Sequence, residues 1–294
     1  MYRSSRWILL AFAAGLICLP VSAPLAVGNV SAAQDPAWLT DYAEAVALAK
    51  GEGKMLLVFF YNSGKNCARF EAGTLADAKV RSKLQSFVCA RLPLSTKVEV
   101  DGAEVRLLDR SRFKDMLGCP GIAIIDYAHK DAKYYGCVVS TFPLTSKLFY
   151  TPRQMAVILD LPPGTLTQRT LIYAVRIHPE KPASTAGKPD QHLLAEAESH
   201  SNHQARICLQ GHHGWESRFQ HISARLPSGL CAKEVCAESW PGENLVEAAV
   251  ECVRSWRCSD GHWSAVRGRH RVFGYDMKRG RNGVWYATGI FGSA

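Results

Sequence analysis

The stretch FFYNSGKNCARFE, from Phe59 to Glu71, joins a strand to a helix through a short turn. Its first three residues end the continuous apolar run MLLVFFY, and this run predicts a strand that is buried on both faces. The polar turn NSGK follows, and a single cysteine, Cys67, opens the predicted helix. A buried strand that leads into a helix is the basic unit of a layered α/β fold.

The rest of the N-terminal half, to about Pro143, continues this alternation of helices and strands. DYAEAVALAK places Tyr42, Ala45 and Ala49 on one helical face, and Asp77 is predicted to cap a helix that runs to Leu84. Three further apolar segments, FVCARL, GIAIID and YYGCVVS, are predicted strands. The sequence therefore predicts an α/β fold class for this half.

Three segments of this half, in order, resemble the thioredoxin superfamily. They are LLVFFY, SGKNCARFE and GCPGIAIID, and the resemblance covers about Trp38 to Pro143. It implies a thioredoxin-like α/β sandwich with its active-site turn before the helix of Cys67. In that family the third segment carries a cis-proline that faces the turn. Pro120 matches this proline and is preceded by Cys119.

The turn departs from the family's C-x-x-C pattern. Gly64 stands where the resemblance expects the attacking cysteine, and Cys67 keeps the resolving position. Because attack requires an accessible thiolate, an ordinary two-cysteine exchange cycle is not expected here. We predict a structural domain in which Cys67 is a small buried hydrophobe. The alternative is that Cys67 and Cys119 pair across the site, as a staple or an atypical redox couple.

The chain begins with the pattern of a secretory signal. Two arginines in MYRSSRW precede the short apolar run ILLAFAAGLICLPV, and we assign residues 1–33 to a signal peptide. The alternative is that this segment is kept as an anchor. Otherwise no membrane span is predicted. We expect an extracytoplasmic location, periplasmic or secreted, where disulfide bonds can form. Without Cys18, nine of the ten cysteines remain, so at least one is unpaired in a monomer.

The length of 294 residues predicts two folded domains. Eight of the ten histidines and five of the seven tryptophans follow Asp190, which indicates a change of domain. The segment EKPASTAGKPDQ is rich in proline, serine and glycine and is the predicted linker. The predicted parts are a thioredoxin-like domain (34–150), a helical extension (151–179), the linker (180–191) and a second domain (192–294).

The second domain resembles a diverged CAP domain, the family of cysteine-rich secretory proteins, antigen 5 and pathogenesis-related 1 proteins. The matching segments are GHHGWESRF, KEVCAESW, SWRCSDGHW, FGYDM and VWYATGIF, between about His192 and Phe291. The resemblance implies a compact α+β domain built as an α-β-α sandwich. The family's bacterial members commonly have a histidine before an "fdRi"-like segment, a "GENIA" glutamate and a "W-x-x-SPGHR" segment.

The resemblance implies a cleft lined by histidine and glutamate. It aligns His213 (or His212) and His262 with the family's histidines, and Glu234 with its glutamate, Glu238 being the second choice. Neutral imidazoles and a carboxylate suit a divalent metal ion, above all Zn²⁺. His213, Glu234 and His262 are therefore the predicted metal ligands. The same groups could instead act in acid–base chemistry or form hydrogen bonds with one another.

The net charge of +9 includes two basic segments near the end, RGRHR (Arg267 to Arg271) and KRGR (Lys278 to Arg281). We expect them to be solvated, the alternative being an anion-binding surface that weakens with salt. Together these features predict an exported binding or scaffold protein with an envelope or extracellular ligand, anionic ligands included, and no nucleic-acid partner. The alternatives are an atypical thiol–disulfide oxidoreductase and a metal-assisted hydrolase that uses the C-terminal cleft.

Overall fold

The computed structural model describes residues 36–293, which belong to one compact unit. The predicted signal segment, residues 1–33, lies outside the described residues. With 41% helix and 23% strand in mixed sheets of five and four strands, the protein has the mixed α/β structure that the sequence predicts. In the described part, no helix is both long and apolar enough to span a membrane.

Helices and strands alternate along the N-terminal half, which contains the first sheet. The helices of the C-terminal half pack around a second sheet. The strands are β1 (Trp38–Leu39), β2 (Leu56–Tyr61), β3 (Val88–Pro93), β4 (Lys97–Val100), β5 (Ala103–Arg106), β6 (Gly121–Ile125), β7 (Val138–Pro143), β8 (Lys188–Pro189), β9 (Cys231–Glu238), β10 (Val272–Arg279) and β11 (Trp285–Ser293). The helices are α1 (Tyr42–Glu52), α2 (Lys65–Phe70), α3 (Ala78–Leu84), α4 (Pro152–Leu159), α5 (Leu166–Ile177), α6 (Gln191–Ile207), α7 (Trp215–Ser223), α8 (Leu245–Arg257) and α9 (Asp260–Arg267).

The first sheet has the strand order β1-β3-β2-β6-β7, with β2 in its centre. Strand β2 is parallel to β3 and antiparallel to β6. Leu57 and Phe59 pack into the core on one face of the sheet, and Val58 and Phe60 pack into the core on the other. Each of these side chains is fully buried, which contributes about 1.5–3 kcal/mol relative to exposure. The prediction that this strand is buried on both faces is confirmed.

The turn that follows β2 leads directly into α2, as the sequence predicts. Gly64 is the last residue before the helix, and its amide donates to Asn62 Oδ1 at 2.9 Å. The φ of Gly64, −74°, is one that any residue adopts, so the backbone of this turn does not require glycine. Asp77 caps α3 as predicted, since its side chain accepts from the amides of Lys79 and Val80.

One predicted strand is shorter than expected. Strand β7 begins at Val138, whereas YYGCVVS was predicted to be a strand from Tyr134. Gly136 has a φ of +69° and donates its amide to the Asp126 carbonyl, which forms a turn at this point. Cys137 is therefore exposed in a turn and is not a core residue of a strand.

Two capped helices connect the sheets. Thr151 and Thr165 begin α4 and α5, and each forms a capping box with a glutamine three residues later. Helix α5 contacts both β7 of the first sheet and β10 of the second. Its buried residues belong to a hydrophobic core that contains side chains from both halves of the chain.

The segment predicted as a linker is packed against the C-terminal half. Ser184 is fully buried, and its hydroxyl lies 2.7 Å from the Tyr275 hydroxyl. The amides of Ala183 and Ser184 donate to backbone carbonyls at Arg267 and Val266, and β8 pairs with β10. Residues 180–191 therefore form a fixed part of the fold and are not a free tether.

The second sheet has the order β8-β10-β11-β9, and helices cover both of its faces. Strands β10 and β11 form a hairpin, because they pair in antiparallel register up to Arg279 and Trp285. Helix α6 contacts β10 and β11, whereas α5 and α8 contact the sheet through β10 and β9. A Cβ atom at Gly274 would lie 2.3 Å from the backbone of Leu193, so glycine allows α6 to approach β10 this closely.

Candidate functional site

Three elements of the C-terminal half bring His212, Glu234 and His262 together. His212 lies in the turn before α7, where its carbonyl accepts from the amide of Trp215. Glu234 is on β9, and His262 is in the first turn of α9. The sequence separates these residues widely, but pairing of β9 with β11 and packing of α9 against β9 close the distance.

His212 contacts a different partner with each of its ring nitrogens. Its Nδ1 lies 3.0 Å from Glu234 Oε1, and its Nε2 lies 3.2 Å from His262 Nε2. An ionised carboxylate can only accept, so His212 carries its proton on Nδ1 and presents a lone pair on Nε2. His262 Nε2 can then either donate to that lone pair or share a cation with it.

Glu234 is a buried carboxylate that accepts hydrogen bonds from two side chains, His212 and Arg218. Only 1% of its side chain is exposed, and Oε2 accepts a short hydrogen bond from the Arg218 guanidinium. Burial by itself would raise the pKa of Glu234, but hydrogen bonds from His212 and Arg218 hold it below its usual value. The carboxylate is therefore ionised at neutral pH and fixes the orientation of His212.

Two imidazoles of this region are held neutral. Burial, followed by the nearby His212, lowers the pKa of His262. Burial lowers the pKa of His200 to about 4, although Glu234 opposes the shift. Neutral imidazole is the form that binds a metal ion, so His262 needs no deprotonation at neutral pH to serve as a ligand.

A second set of potential metal ligands lies deeper. His200, Glu234 and Cys236 each offer a ligand atom, and these atoms lie within 4.8 Å of one another. His200 Nε2, however, lies 2.9 Å from the Gly211 carbonyl and must carry its proton to form that hydrogen bond. Burial also raises the pKa of the Cys236 thiol well above its usual value. This deeper set is therefore better described as hydrogen-bonded support for Glu234 and His212.

The predicted set of ligands, His213, Glu234 and His262, changes at two positions. Glu234 accepts a hydrogen bond from His212 and so orients that ring, and His213 is replaced by His212. His212, the alternative to His213, faces Glu234 and His262, whereas His213 Nε2 is directed to the Leu209 carbonyl at 3.3 Å. The His213 ring packs instead beside His203, with centroids 5.4 Å apart. The prediction that His213 is a ligand is therefore wrong. His213 lies next to the cleft and faces away from it, because the side chains of consecutive residues point in different directions.

Glu238, the second choice for the cleft glutamate, lies at the far end of β9. It is exposed, and its four-residue separation from Glu234 corresponds to roughly 13 Å along a strand. Its position therefore favours Glu234 as the glutamate of the cleft.

Sequence reasoning did not select Arg218 or Cys236. Arg218 is the arginine of SRF, in the same segment GHHGWESRF as His212, but nothing in that segment indicates its partner Glu234 on β9. Cys236 follows Glu234 by two residues, which places both on one face of β9, and its Sγ lies 3.7 Å from His212 Nδ1. His200 has a structural contact, since its Nε2 lies 2.9 Å from the Gly211 carbonyl.

The turn of the N-terminal half has a different character. Cys67 is 1% exposed and belongs to the hydrophobic core, whereas Cys119 is partly exposed. No two cysteines of the described part lie at disulfide distance. The prediction of a cis-proline at Pro120 is wrong, since no peptide bond within residues 36–293 is cis.

No known family model matches this chain, and no curated protein matches it either. The thioredoxin-like and CAP-like resemblances therefore depend on the residues and contacts described above.

Proposed function

We propose that this chain is an exported binding protein whose C-terminal half binds a divalent metal ion through His212 and His262. The distance of 3.2 Å between their Nε2 atoms supports this assignment. Two nitrogens that bind one tetrahedral Zn²⁺ at about 2.0–2.1 Å are separated by roughly 3.3 Å. The chain therefore holds two imidazole nitrogens at the spacing that a shared ion requires.

The surroundings of His212 support the same proposal. In metal-binding histidines, the N–H of the second ring nitrogen commonly donates a hydrogen bond to a carboxylate, which fixes the tautomer and the ring orientation. Glu234 occupies that position, and Arg218 keeps it ionised. Imidazole ligands suit Zn²⁺, Cu²⁺ and Ni²⁺, of which Zn²⁺ is the one we propose.

The cleft is open to ligands from solution, because 40% of the His212 side chain is exposed. Two protein ligands are fewer than a closed structural zinc site uses, so other positions are available to water or to a bound molecule. When bound, the ion would supply positive charge that attracts anionic oxygens. We therefore propose an oxygen-bearing anionic ligand from the envelope or the extracellular space.

The arrangement favours binding over hydrolysis. Glu234 is already engaged by His212 and Arg218, so it is not a free general base for activating a water molecule. The metal-assisted hydrolase remains the alternative for the same cleft, but no separate observation favours it.

The fold supports the proposed domain families. A four-stranded sheet covered by helices on both faces agrees with a CAP-like α-β-α sandwich. A five-stranded mixed sheet whose central strand leads into the helix of Cys67 agrees with a thioredoxin-like domain. We propose that this domain is a noncatalytic scaffold, because Cys67 is buried and Gly64 replaces the attacking cysteine. Export is proposed from the signal pattern of residues 1–33.

Metal binding is tested by titrating Zn²⁺ into the chelator-treated protein in a calorimeter. We expect one ion per chain, with at least tenfold weaker binding in His212→Ala and His262→Ala, because each removes one of two protein ligands. His213→Ala is the matched control, since it removes the adjacent imidazole that faces away from the cleft. Absence of binding in the parent protein, or equal binding in all four proteins, would refute the proposal.

A further inference from the structure

A large cavity lies away from the histidine cleft, where helices α5 and α6, the β10–β11 hairpin and the turn at Ser111–Met116 meet. The volume of this cavity is about 640 Å³, which is within the usual range for small-molecule sites. None of its lining residues belongs to the cluster of His212, Glu234 and His262. The KRGR segment lines it through Lys278, Arg279 and Arg281.

The rim of this cavity is strongly basic. Lys114, Arg206, Arg279 and Arg281 are exposed and line it, and within residues 36–293 none of them forms a salt bridge. Asp115 is the only acidic residue of the lining, and its carboxylate is attracted by Lys114 and Arg279. The Arg206 guanidinium also lies 3.1 Å from His203 Nδ1. The four exposed cations exceed the acidic charge of the lining by three.

Lys278 contributes to the cavity in another way. Its ammonium group pairs with Asp276 at 2.9 Å and with Glu198 at 3.2 Å, so its charge is already compensated. The two carboxylates hold Lys278 in place beside the Thr167 hydroxyl, which lies 3.4 Å away. The available positive charge therefore comes from the four exposed cations.

The floor of the cavity is apolar. Leu166, Leu245 and Trp285 line it, and the Trp285 indole is fixed because its Nε1 donates to the Glu243 carbonyl at 3.1 Å. A cavity with a basic rim and an apolar floor suits a ligand that has an anionic group at one end and an apolar or ring-shaped part at the other.

We infer that this cavity binds a phosphoryl-bearing molecule, with the phosphoryl group at the arginines and its apolar or ring part against Trp285. Arginine forms paired hydrogen bonds with phosphate oxygens, and three of the four free cations are arginines. A phosphate monoester carries a charge of about −1.5 to −2 at neutral pH, and a diphosphate carries more, which matches the excess positive charge. The KRGR segment, for which the sequence left a solvated surface and an anion-binding surface open, is thus assigned to an anion site.

The ligand has two possible sources with the same chemistry, a soluble phosphate ester or the headgroup of an anionic phospholipid. Inorganic pyrophosphate represents the first source and is titrated into the full protein by calorimetry at low and high salt. Vesicles of phosphatidylglycerol represent the second source and are compared with phosphatidylcholine vesicles by cosedimentation. Binding of either probe, weakened by salt, is the expected result.

The decisive variant is the double substitution Arg279→Ala/Arg281→Ala. We expect it to weaken binding at least about tenfold, because it removes two charge-assisted contacts from the rim. The matched control is Arg269→Ala/Arg271→Ala, which removes the same charge from exposed positions outside the cavity. Equal losses in the two double variants would show general attraction of anions and would overturn the assignment.

A third variant tests the cavity itself without changing charge. Asn202 is exposed at its lining, and Asn202→Trp should block the cavity and weaken binding of the same probe. Full binding by this variant, or no binding of either probe to the parent protein at low salt, would contradict the inference. All probes are titrated into chelator-treated protein, in which the cleft of His212 and His262 holds no ion, so failure here is distinguishable from failure of the metal proposal.

Discussion

The turn before α2 and the cleft beside β9 hold their reactive atoms in opposite surroundings. At the turn, Cys67 is buried among apolar side chains, and Gly64 is the residue before its helix. At the cleft, His212 is partly exposed and is tied to a buried carboxylate with its own arginine partner. Burial of apolar surface stabilises a scaffold without any chemistry, so the packing around Cys67 needs no reaction to explain it.

The polar cluster cannot be explained in the same way. Taking Glu234 and Arg218 out of water has a desolvation cost, and apolar replacements of such pairs are often neutral or stabilising. This cluster also orients the exposed imidazole of His212, which a ligand-binding site requires and a purely structural contact does not. This difference supports the proposal that the cleft binds a ligand and that the turn is structural.

The largest expected effect comes from breaking the cluster at Glu234. Glu234→Ala leaves the Arg218 charge without its partner and should lower the free energy of unfolding by about 3–5 kcal/mol. Glu238→Ala, on the same strand but exposed, should change it by no more than about 0.5 kcal/mol. Urea unfolding measures both, and similar stabilities of the two variants would remove the contrast between the cleft and an ordinary surface.

A smaller effect is expected from acid. The pKa of His200 is lowered to about 4 by burial, so its proton binds more weakly in the folded state than in the unfolded state. The stability that His200 contributes is complete above pH 6.5 and falls as the pH drops toward 4, by up to about 3 kcal/mol.

His200→Gln provides the comparison for this pH effect. The variant lacks the titrating group, so its free energy of unfolding should fall less between pH 6.5 and pH 4 than that of the parent protein. Urea unfolding across this range tests the difference, and parallel pH profiles would show that His200 does not titrate as described.

The smallest effect is expected at the turn. Cys67→Ala removes one buried sulfur and should cost about 1 kcal/mol, while metal binding at the cleft is unchanged. In the native protein Cys67 should resist a thiol reagent that labels the exposed Cys137, Cys231 and Cys258. Mass spectrometry after brief labelling identifies the modified residues. If Cys67 were labelled as fast as the exposed thiols, the description of Cys67 as a buried core residue would be wrong.

Local signals of the sequence predicted much of the fold. The run MLLVFFY and the cap at Asp77 each specify an element through neighbours in the chain, and the structure has both. The strand around Cys137 was predicted too long, because Gly136 forms a turn that the apolar pattern does not indicate.

The candidate site was predicted less completely, since it depends on contacts between distant elements. Spacing could not decide between His212 and His213, because the direction of each ring is set by Glu234 and by the Leu209 carbonyl. Arg218 was missed for the same reason, as its partner lies on another element. The composition of residues 180–191 indicated irregular backbone correctly but gave no sign of its burial.

Helix α5 belongs to both halves of the chain. Tyr173 packs its ring against Phe142 of the first sheet, and the same helix contacts β10 and α8 of the second. Separating the two halves would therefore expose apolar side chains of α5 to water, which destabilises whichever half keeps the helix. Each half depends on the other to cover this helix.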